Sequence, residues 1–178
     1  VSHVGTVSPE IVLVKIRAQR VESGRQIPYE KKEGDVVNEG QSRFIMRNGK
    51  LIGALVGAED KILFTADKLV GEPLDVEWAS KAENYQIVSA DHKAITPKTV
   101  YRKTRLYQYC RTADVHEAAQ DHLLYLVLPE PLEKGKNYTV EFKNGNLETA
   151  SVEFTYDPTK LPSEAVHVSQ LGFRPDDP

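Results

Sequence analysis

The chain has 178 residues, a formal net charge of -3 and a sequence pI of about 6.0. Such a charge balance lacks the basic stripe of a nucleic-acid-binding surface, and no segment reaches the roughly 20 apolar residues of a transmembrane helix, so we expect neither nucleic acid nor a membrane span. The single cysteine, Cys110, excludes an internal disulfide, so packing alone must stabilise the fold.

The N-terminal part predicts one strand between two irregular segments. Residues 1–9 are interpreted as a leader, and residues 22–41, which are polar and rich in Gly, Glu and Lys, as a long loop. Between them, residues 10–21 predict a strand because apolar side chains alternate along it. The apolar face of that strand carries Val12, Val14, Ile16 and Ala18.

A hairpin is predicted next. Asn48 and Gly49 lie between two apolar runs, residues 43–47 and 50–57. Asn-Gly between such runs is a strong hairpin signal, because both turn positions need positive φ. A third run at residues 61–65 extends the hairpin into a meander.

The middle of the chain gives weaker patterns. Residues 75–82 fit either a short helix or a strand. Residues 85–88 and 98–103 predict strands by their alternation. Residues 104–120 are ambiguous between strand and helix.

Within that ambiguous segment, residues 113–120 are typical of a helical turn with Thr112 or Asp114 as its cap. His116 also begins a pattern close to the zinc-protease helix. Gln120 stands where the second His must lie to place two imidazoles on one helical face, so we predict no metal site there.

The last third reads as antiparallel strands. Residues 121–128, 137–143 and 147–156 alternate, and Asn144-Gly145 predicts a second tight hairpin. Many short strands with turn signals between them indicate an all-β, antiparallel immunoglobulin/fibronectin-like β-sandwich. The Gly turn followed by Tyr138 is typical of such sandwiches, where the Tyr hydroxyl holds a corner.

The C-terminal segment carries a family resemblance. Residues 166–175 run as an alternating strand followed by a Gly/Pro turn, which resembles the opening of the immunoglobulin-like domain that precedes the catalytic barrel in glycoside hydrolase family 9 cellulases. Ser169 replaces the usual Asn, and Phe173 replaces the usual Tyr. The positions that fit are Gln170, Gly172 and Pro175.

The resemblance implies a domain plan. Residues 1–9 are then the leader, residues 10–160 an accessory β-sandwich, and residues 161–178 the linker and first strand of a following immunoglobulin-like domain. The catalytic carboxylates of that family lie in a helical barrel that comes after this domain, so no catalytic residue is carried over to this chain.

Function is expected from this plan. The chain is predicted to be a non-catalytic accessory module of a secreted or periplasmic polysaccharide-degrading glycoside hydrolase, with the downstream domains and polysaccharide as partners and with no cofactor or metal. The alternative is a freestanding carbohydrate-binding or adhesion sandwich. An enzyme complete within these residues is a third hypothesis, in which the thiol of Cys110 is the nucleophile and His116 or His122 is its base.

Exposed aromatic side chains are the candidates for glycan contact, because the apolar faces of sugar rings stack on aromatic rings. The candidate residues are Trp78, Tyr107 and Tyr109, with Tyr101 nearby in sequence. Tyr107 and Tyr109 share a face if their segment is extended. Alternatively, Trp78 is a core residue and the tyrosines cover a sheet edge.

Overall fold

The computed structural model describes residues 1–38, 40, 42–111 and 116–163. Over these residues the fold is all-β, mostly antiparallel and built of several sheets, which confirms the predicted class and is consistent with a β-sandwich. The strands are β1 His3–Ser8, β2 Ile11–Arg17, β3 Arg20–Glu22, β4 Gln26–Pro28, β5 Asp35–Val37, β6 Phe44–Arg47, β7 Lys50–Val56, β8 Ile62–Thr65, β9 Lys68–Val70, β10 Tyr85–Ser89, β11 Ala94–Ile95, β12 Thr99–Arg111, β13 His116–Val127, β14 Asn137–Phe142 and β15 Ser151–Thr155. The helices are α1 Val76–Ala79 and a 3-10 turn, Ala82–Asn84.

The chain divides into two compact units. The described parts of Val1–Ile16, Leu74–Thr104 and His122–Pro178 form the first, and those of Arg17–Pro73 and Arg105–Asp121 form the second. This division differs from the prediction of a single domain over residues 10–160. It arises because the segment after β2 builds sheets of its own before the chain returns to the first unit.

Several segments differ from their predicted local structure. Residues 1–9, interpreted as a leader, contain β1, which pairs antiparallel with β2. The predicted loop 22–41 contains the short strands β4 and β5. Residues 116–120 lie in β13, so the helical turn predicted there is wrong, while residues 112–115 lie outside the described residues. The predicted linker and strand at 161–178 lie outside them beyond residue 163.

The first unit takes its core from two four-stranded sheets, ordered β1-β2-β13-β12 and β11-β10-β14-β15. Strands β12 and β13 also contribute residues to the second unit. Buried side chains alternate along β10 and β14, as the period of two requires, whereas β2 buries three consecutive residues, Val12, Leu13 and Val14. Fully buried side chains from both sheets include Val12, Val14, Ile16, Tyr85, Ile87, Leu124, Leu126 and Val140.

Trp78 anchors the loops of the first unit. Its helix α1 is capped by Asp75, whose carboxylate accepts a hydrogen bond from the Trp78 backbone N–H at 3.0 Å, so the short helix is the correct alternative for part of segment 75–82. The indole Nε1 donates to the carbonyl of Lys143 at 2.6 Å. The Trp78 ring lies 5.4 Å from the ring of Tyr85. A Cβ on Gly145 would come within 2.5 Å of the indole, so this position requires glycine.

Asn144-Gly145 does not form the predicted two-residue turn. The pairing of β14 with β15 closes at Glu141 and Ser151, so a longer connection joins the strands. Gly145 serves instead to let the backbone approach Trp78.

Tyr138 holds a corner of the first unit, as its sequence context predicts. Its side chain is buried, and its hydroxyl accepts a hydrogen bond at 2.9 Å from the backbone N–H of Glu133. This bond spans five residues and ties the turn before β14 to the strand itself. It is the geometry expected of a tyrosine corner.

The second unit contains a five-stranded sheet, ordered β4-β8-β7-β6-β5, and a two-stranded sheet of β3 and β9. The predicted hairpin and meander are confirmed: β6, β7 and β8 pair in series, and Asn48 and Gly49 adopt φ of 49° and 77°. The buried apolar cluster on this sheet is small and consists of Ile45, Leu55 and Leu63.

An ion pair supplements that small cluster. Asp35 accepts hydrogen bonds from Arg47 Nε at 2.6 Å and Nη2 at 3.0 Å. The hydroxyl of Tyr29 and the backbone N–H of Lys32 donate to the same carboxylate at 3.0 and 2.9 Å. The bonds from Arg47, with help from Lys32, hold the pKa of Asp35 well below its usual range. The carboxylate is thus fully bonded and ties β5 to β6.

Candidate functional site

Exposed tyrosines on β12 form the candidate site. In the second unit this strand alternates between an inner and an outer face. On the inner face, Gln108 Oε1 accepts a hydrogen bond from the Val21 backbone N–H at 3.0 Å, and Cys110 is completely buried. On the outer face, Tyr107 and Tyr109 expose 40% and 49% of their surface. The inference that these two side chains share a face is therefore correct.

A guanidinium covers one of these rings. The Cζ atom of Arg17 lies 3.1 Å from the centroid of the Tyr107 ring, which is a cation–π arrangement. Arg17 is itself held by Asp121, with Nε to Oδ1 at 2.8 Å and Nη2 to Oδ2 at 3.3 Å. This two-point contact fixes the plane of the guanidinium and so restricts the ring beneath it.

The carboxylate behind Arg17 is almost completely buried. The Asp121 side chain is only 4% exposed, and Arg105 Nε lies 3.6 Å from its second oxygen. Two guanidinium groups therefore share one buried carboxylate beside the tyrosines. We name Tyr107, Tyr109, Arg17 and Arg105 the tyrosine–arginine surface.

Trp78 does not belong to this surface. It lies in the first unit, only 6% exposed, and its indole N–H is already bonded. A buried ring offers no face to a sugar, so the structure matches the alternative in which Trp78 is a core residue. Tyr101 is 64% exposed but also belongs to the first unit.

The described surroundings of Cys110 do not favour a thiolate. Burial raises the pKa of its thiol, which favours the unreactive protonated form. The side chain of His116 lies outside the described residues. His122 is buried in the first unit, with Nδ1 3.5 Å from Arg102 Nη1. In the described part of the chain, no three His, Cys, Asp or Glu side chains are grouped to hold a metal ion.

Sequence reasoning missed Arg17 and Asp121. Both lie at polar positions of predicted strands, and the alternation along each strand indicates on which of its faces the residue lies. The pairing across the sheet could not be read from one sequence, since the two residues are 104 positions apart. The only local indication of basic groups near the tyrosines was Arg102, Lys103 and Arg105, which precede Tyr107 in the sequence.

No protein-family model matches this chain, and no curated protein or solved structure matches it either. None of the helices in the described ranges is long and apolar enough to cross a membrane.

Proposed function

We propose that this chain is a non-catalytic accessory region of a secreted polysaccharide-degrading glycoside hydrolase, and that it contacts glycan through the tyrosine–arginine surface. The observation that carries the glycan contact is the pair of half-exposed rings on one face of β12. The resemblance of residues 166–175 to the family 9 immunoglobulin-like domain supports the enzyme context, although that segment lies outside the described residues.

The chemistry of the surface suits a sugar chain. Alternate residues of a strand lie roughly 6–7 Å apart, so Tyr107 and Tyr109 can contact neighbouring parts of one extended ligand. Tyr109 offers an apolar ring, Tyr107 offers the part of its ring that Arg17 does not cover, and tyrosine hydroxyls both donate and accept hydrogen bonds. Arg17 and Arg105 add donors for sugar hydroxyls and are positioned by Asp121 before any ligand arrives.

We further propose an immunoglobulin-like type for the first unit. Its two four-stranded sheets, the buried Trp78 and the corner made by Tyr138 support this type. An accessory role rather than catalysis is supported by the buried, protonated thiol of Cys110 and by a carboxylate, Asp121, that is engaged by two arginines.

Affinity electrophoresis tests the glycan contact. Gels containing hydroxyethyl cellulose, xylan or mixed-linkage β-glucan are expected to retard the native chain in at least one case. Replacing both tyrosines by alanine is expected to abolish the retardation, since each stacking contact is worth roughly 0.5–1.5 kcal/mol.

Two variants serve as matched controls. Phe64→Ala removes an aromatic ring of the same unit that is 44% exposed, and Leu106→Ala removes an exposed side chain from the opposite face of β12. Both are expected to keep the retardation. An equal loss of retardation in the two control variants would contradict the proposal. No retardation of the native chain in any gel would also contradict it.

A freestanding carbohydrate-binding or adhesion module is the second candidate, because the tyrosine–arginine surface lies entirely within the second unit. The encoding gene distinguishes the two. A reading frame that continues beyond Pro178 into a helical region with an Asp-Ala-Gly-Asp type carboxylate motif supports the enzyme context. A stop codon directly after Pro178 supports the freestanding module.

A further inference from the structure

A cavity of about 450 Å³ lies in the second unit. This volume is within the range typical of small-molecule sites. None of the residues of the tyrosine–arginine surface lines the cavity, so a ligand bound there would not depend on the glycan contact proposed above.

The floor of the cavity is apolar. Leu63 belongs to the buried cluster of the five-stranded sheet, and Ile27 and Ile52 pack against that cluster while remaining partly exposed. Such a floor favours a ligand with an apolar ring face, because covering it removes apolar surface from water.

The walls are basic. Arg25, Lys32, Lys68 and Arg47 line the cavity, against the acidic side chains Glu30 and Asp67. Within the described part of the chain, the side chains of Arg25, Lys32 and Lys68 form no ion pair. This excess of positive charge stands on a chain whose net charge is -3. Since Arg47 is paired with Asp35, the other three cations face two carboxylates, and the lining keeps an excess of one positive charge.

One wall is rigid. Arg47 is fixed by its two hydrogen bonds to Asp35, and Tyr29 is fixed by a third to the same carboxylate. Both of these side chains line the cavity. A site with one preformed wall loses less entropy when a ligand binds than a site built of mobile side chains.

We propose that this cavity binds a small organic carboxylate, with its ring on the floor of Ile27, Ile52 and Leu63 and its charge among Arg25, Lys32 and Lys68. A compact inorganic anion would leave the apolar floor in water, and a neutral sugar would leave the cations without a partner. The shared chemistry is a carboxylate attached to a ring, which a uronic acid or an aromatic acid can supply.

Isothermal titration of the full chain tests the proposal with four probes: glucuronate, benzoate, glucose and inorganic phosphate. Saturable binding is expected for glucuronate or benzoate, and the stronger of the two identifies the source of the carboxylate. Tighter binding of glucose or phosphate than of both carboxylates, or no saturable binding of either carboxylate at millimolar concentration, overturns the proposal.

A pair of double variants assigns the binding to the cavity. Lys32→Met with Lys68→Met removes two lining charges, and Lys31→Met with Lys50→Met removes two exposed charges that do not line it. The first pair is expected to weaken carboxylate binding about tenfold, and the second to leave it within about twofold. Equal weakening by both pairs shows a general charge effect and overturns the assignment.

Methyl NMR supplies a readout that needs no variant. On binding, the shifts of Ile27, Ile52 and Leu63 are expected to change more than those of Leu124 and Leu126 in the first unit. Uniform changes in both groups contradict a site on this floor.

Discussion

The two units are stabilised in different ways. The first buries large aromatic and aliphatic side chains from two sheets, with Trp78, Tyr85 and Phe142 in ring contact. The five-stranded sheet of the second unit has a small apolar cluster, and the unit contains two ion pairs that each include a buried carboxylate: Asp35 with Arg47, and Asp121 with Arg17. Among the described residues, both buried carboxylates, Asp35 and Asp121, belong to the second unit.

This difference bears on function. Buried ion pairs add little net stability compared with apolar packing, because each charge must leave water. They do fix the directions of the groups that they hold. In the second unit, Asp121 orients the arginine over Tyr107, and Asp35 orients a wall of the cavity. We infer that the first unit is the scaffold and that the second presents the binding groups.

The largest effect is expected at Trp78. Trp78→Ala removes the ring that joins α1 to Lys143 and Tyr85, and it should destabilise the first unit by about 3–5 kcal/mol. Urea unfolding followed by circular dichroism, with amide exchange of β10 and β14, measures this, because the chain then has no tryptophan fluorescence. Tyr101→Ala, at a residue 64% exposed, should change stability by no more than about 0.5 kcal/mol. Similar losses in both variants would contradict a core role for Trp78.

Acid should destabilise the second unit more than the first. Arg47 lowers the folded pKa of Asp35, so the stability that this carboxylate contributes is complete above its unfolded pKa of about 3.9 and is lost as pH falls below it. Asp35→Asn should destabilise the second unit at pH 7 and flatten its dependence on pH below about 4. Amide exchange of β6 and β7 between pH 6 and acid measures the change.

The control for that prediction is Glu33→Gln, an exposed carboxylate two positions away. It should leave both the stability and its pH dependence unchanged. An Asp35→Asn variant as sensitive to acid as the native chain would show that the pair with Arg47 does not govern the second unit.

A smaller effect is expected at the corner of the first unit. Tyr138→Phe removes the acceptor of the Glu133 N–H and should cost about 1–2 kcal/mol, because a partly buried donor loses its partner. Tyr101→Phe, at a ring that is 64% exposed, is the matched control and should cost less than about 0.5 kcal/mol. Thermal unfolding of the two variants compares them, and equal midpoints would argue against the corner bond.

The smallest effect on stability is expected at the tyrosine–arginine surface. Tyr107→Ala together with Tyr109→Ala should shift the urea midpoint only slightly, since both rings are about half exposed and the contact of Tyr107 with Arg17 lies at the surface. The same variant should lose the retardation in glycan gels, so its loss of binding would not be a consequence of unfolding. A large loss of stability would mean that the rings are structural.

Local patterns were sufficient to predict the hairpin at Asn48-Gly49, the strands of the last third and the corner at Tyr138. Each depends on neighbours in sequence: φ at a turn, alternation along a strand, or a hydroxyl five residues from its donor. The same local reasoning failed at Asn144-Gly145, because Gly145 is required by its contact with Trp78, which lies far away in sequence.

The contacts of the candidate site that could not be predicted are those between residues distant in sequence. Tyr107 and Tyr109 could be placed on one face from their spacing alone. Their arginine partner could not, because Arg17 reaches Tyr107 only through the order β2-β13-β12, which no local signal specifies. The division into two units could not be predicted from the sequence for the same reason, since each unit joins segments that are distant in sequence.

Backbone amide NMR during a titration with cellohexaose tests the division into a scaffold and a binding unit most directly, because it reports on both units at once. We predict that shift changes concentrate at Arg17, Tyr107 and Tyr109 in the second unit, with β10, β14 and β15 unchanged. Changes concentrated in β10, β14 and β15, or an absence of changes in both units, would contradict that division.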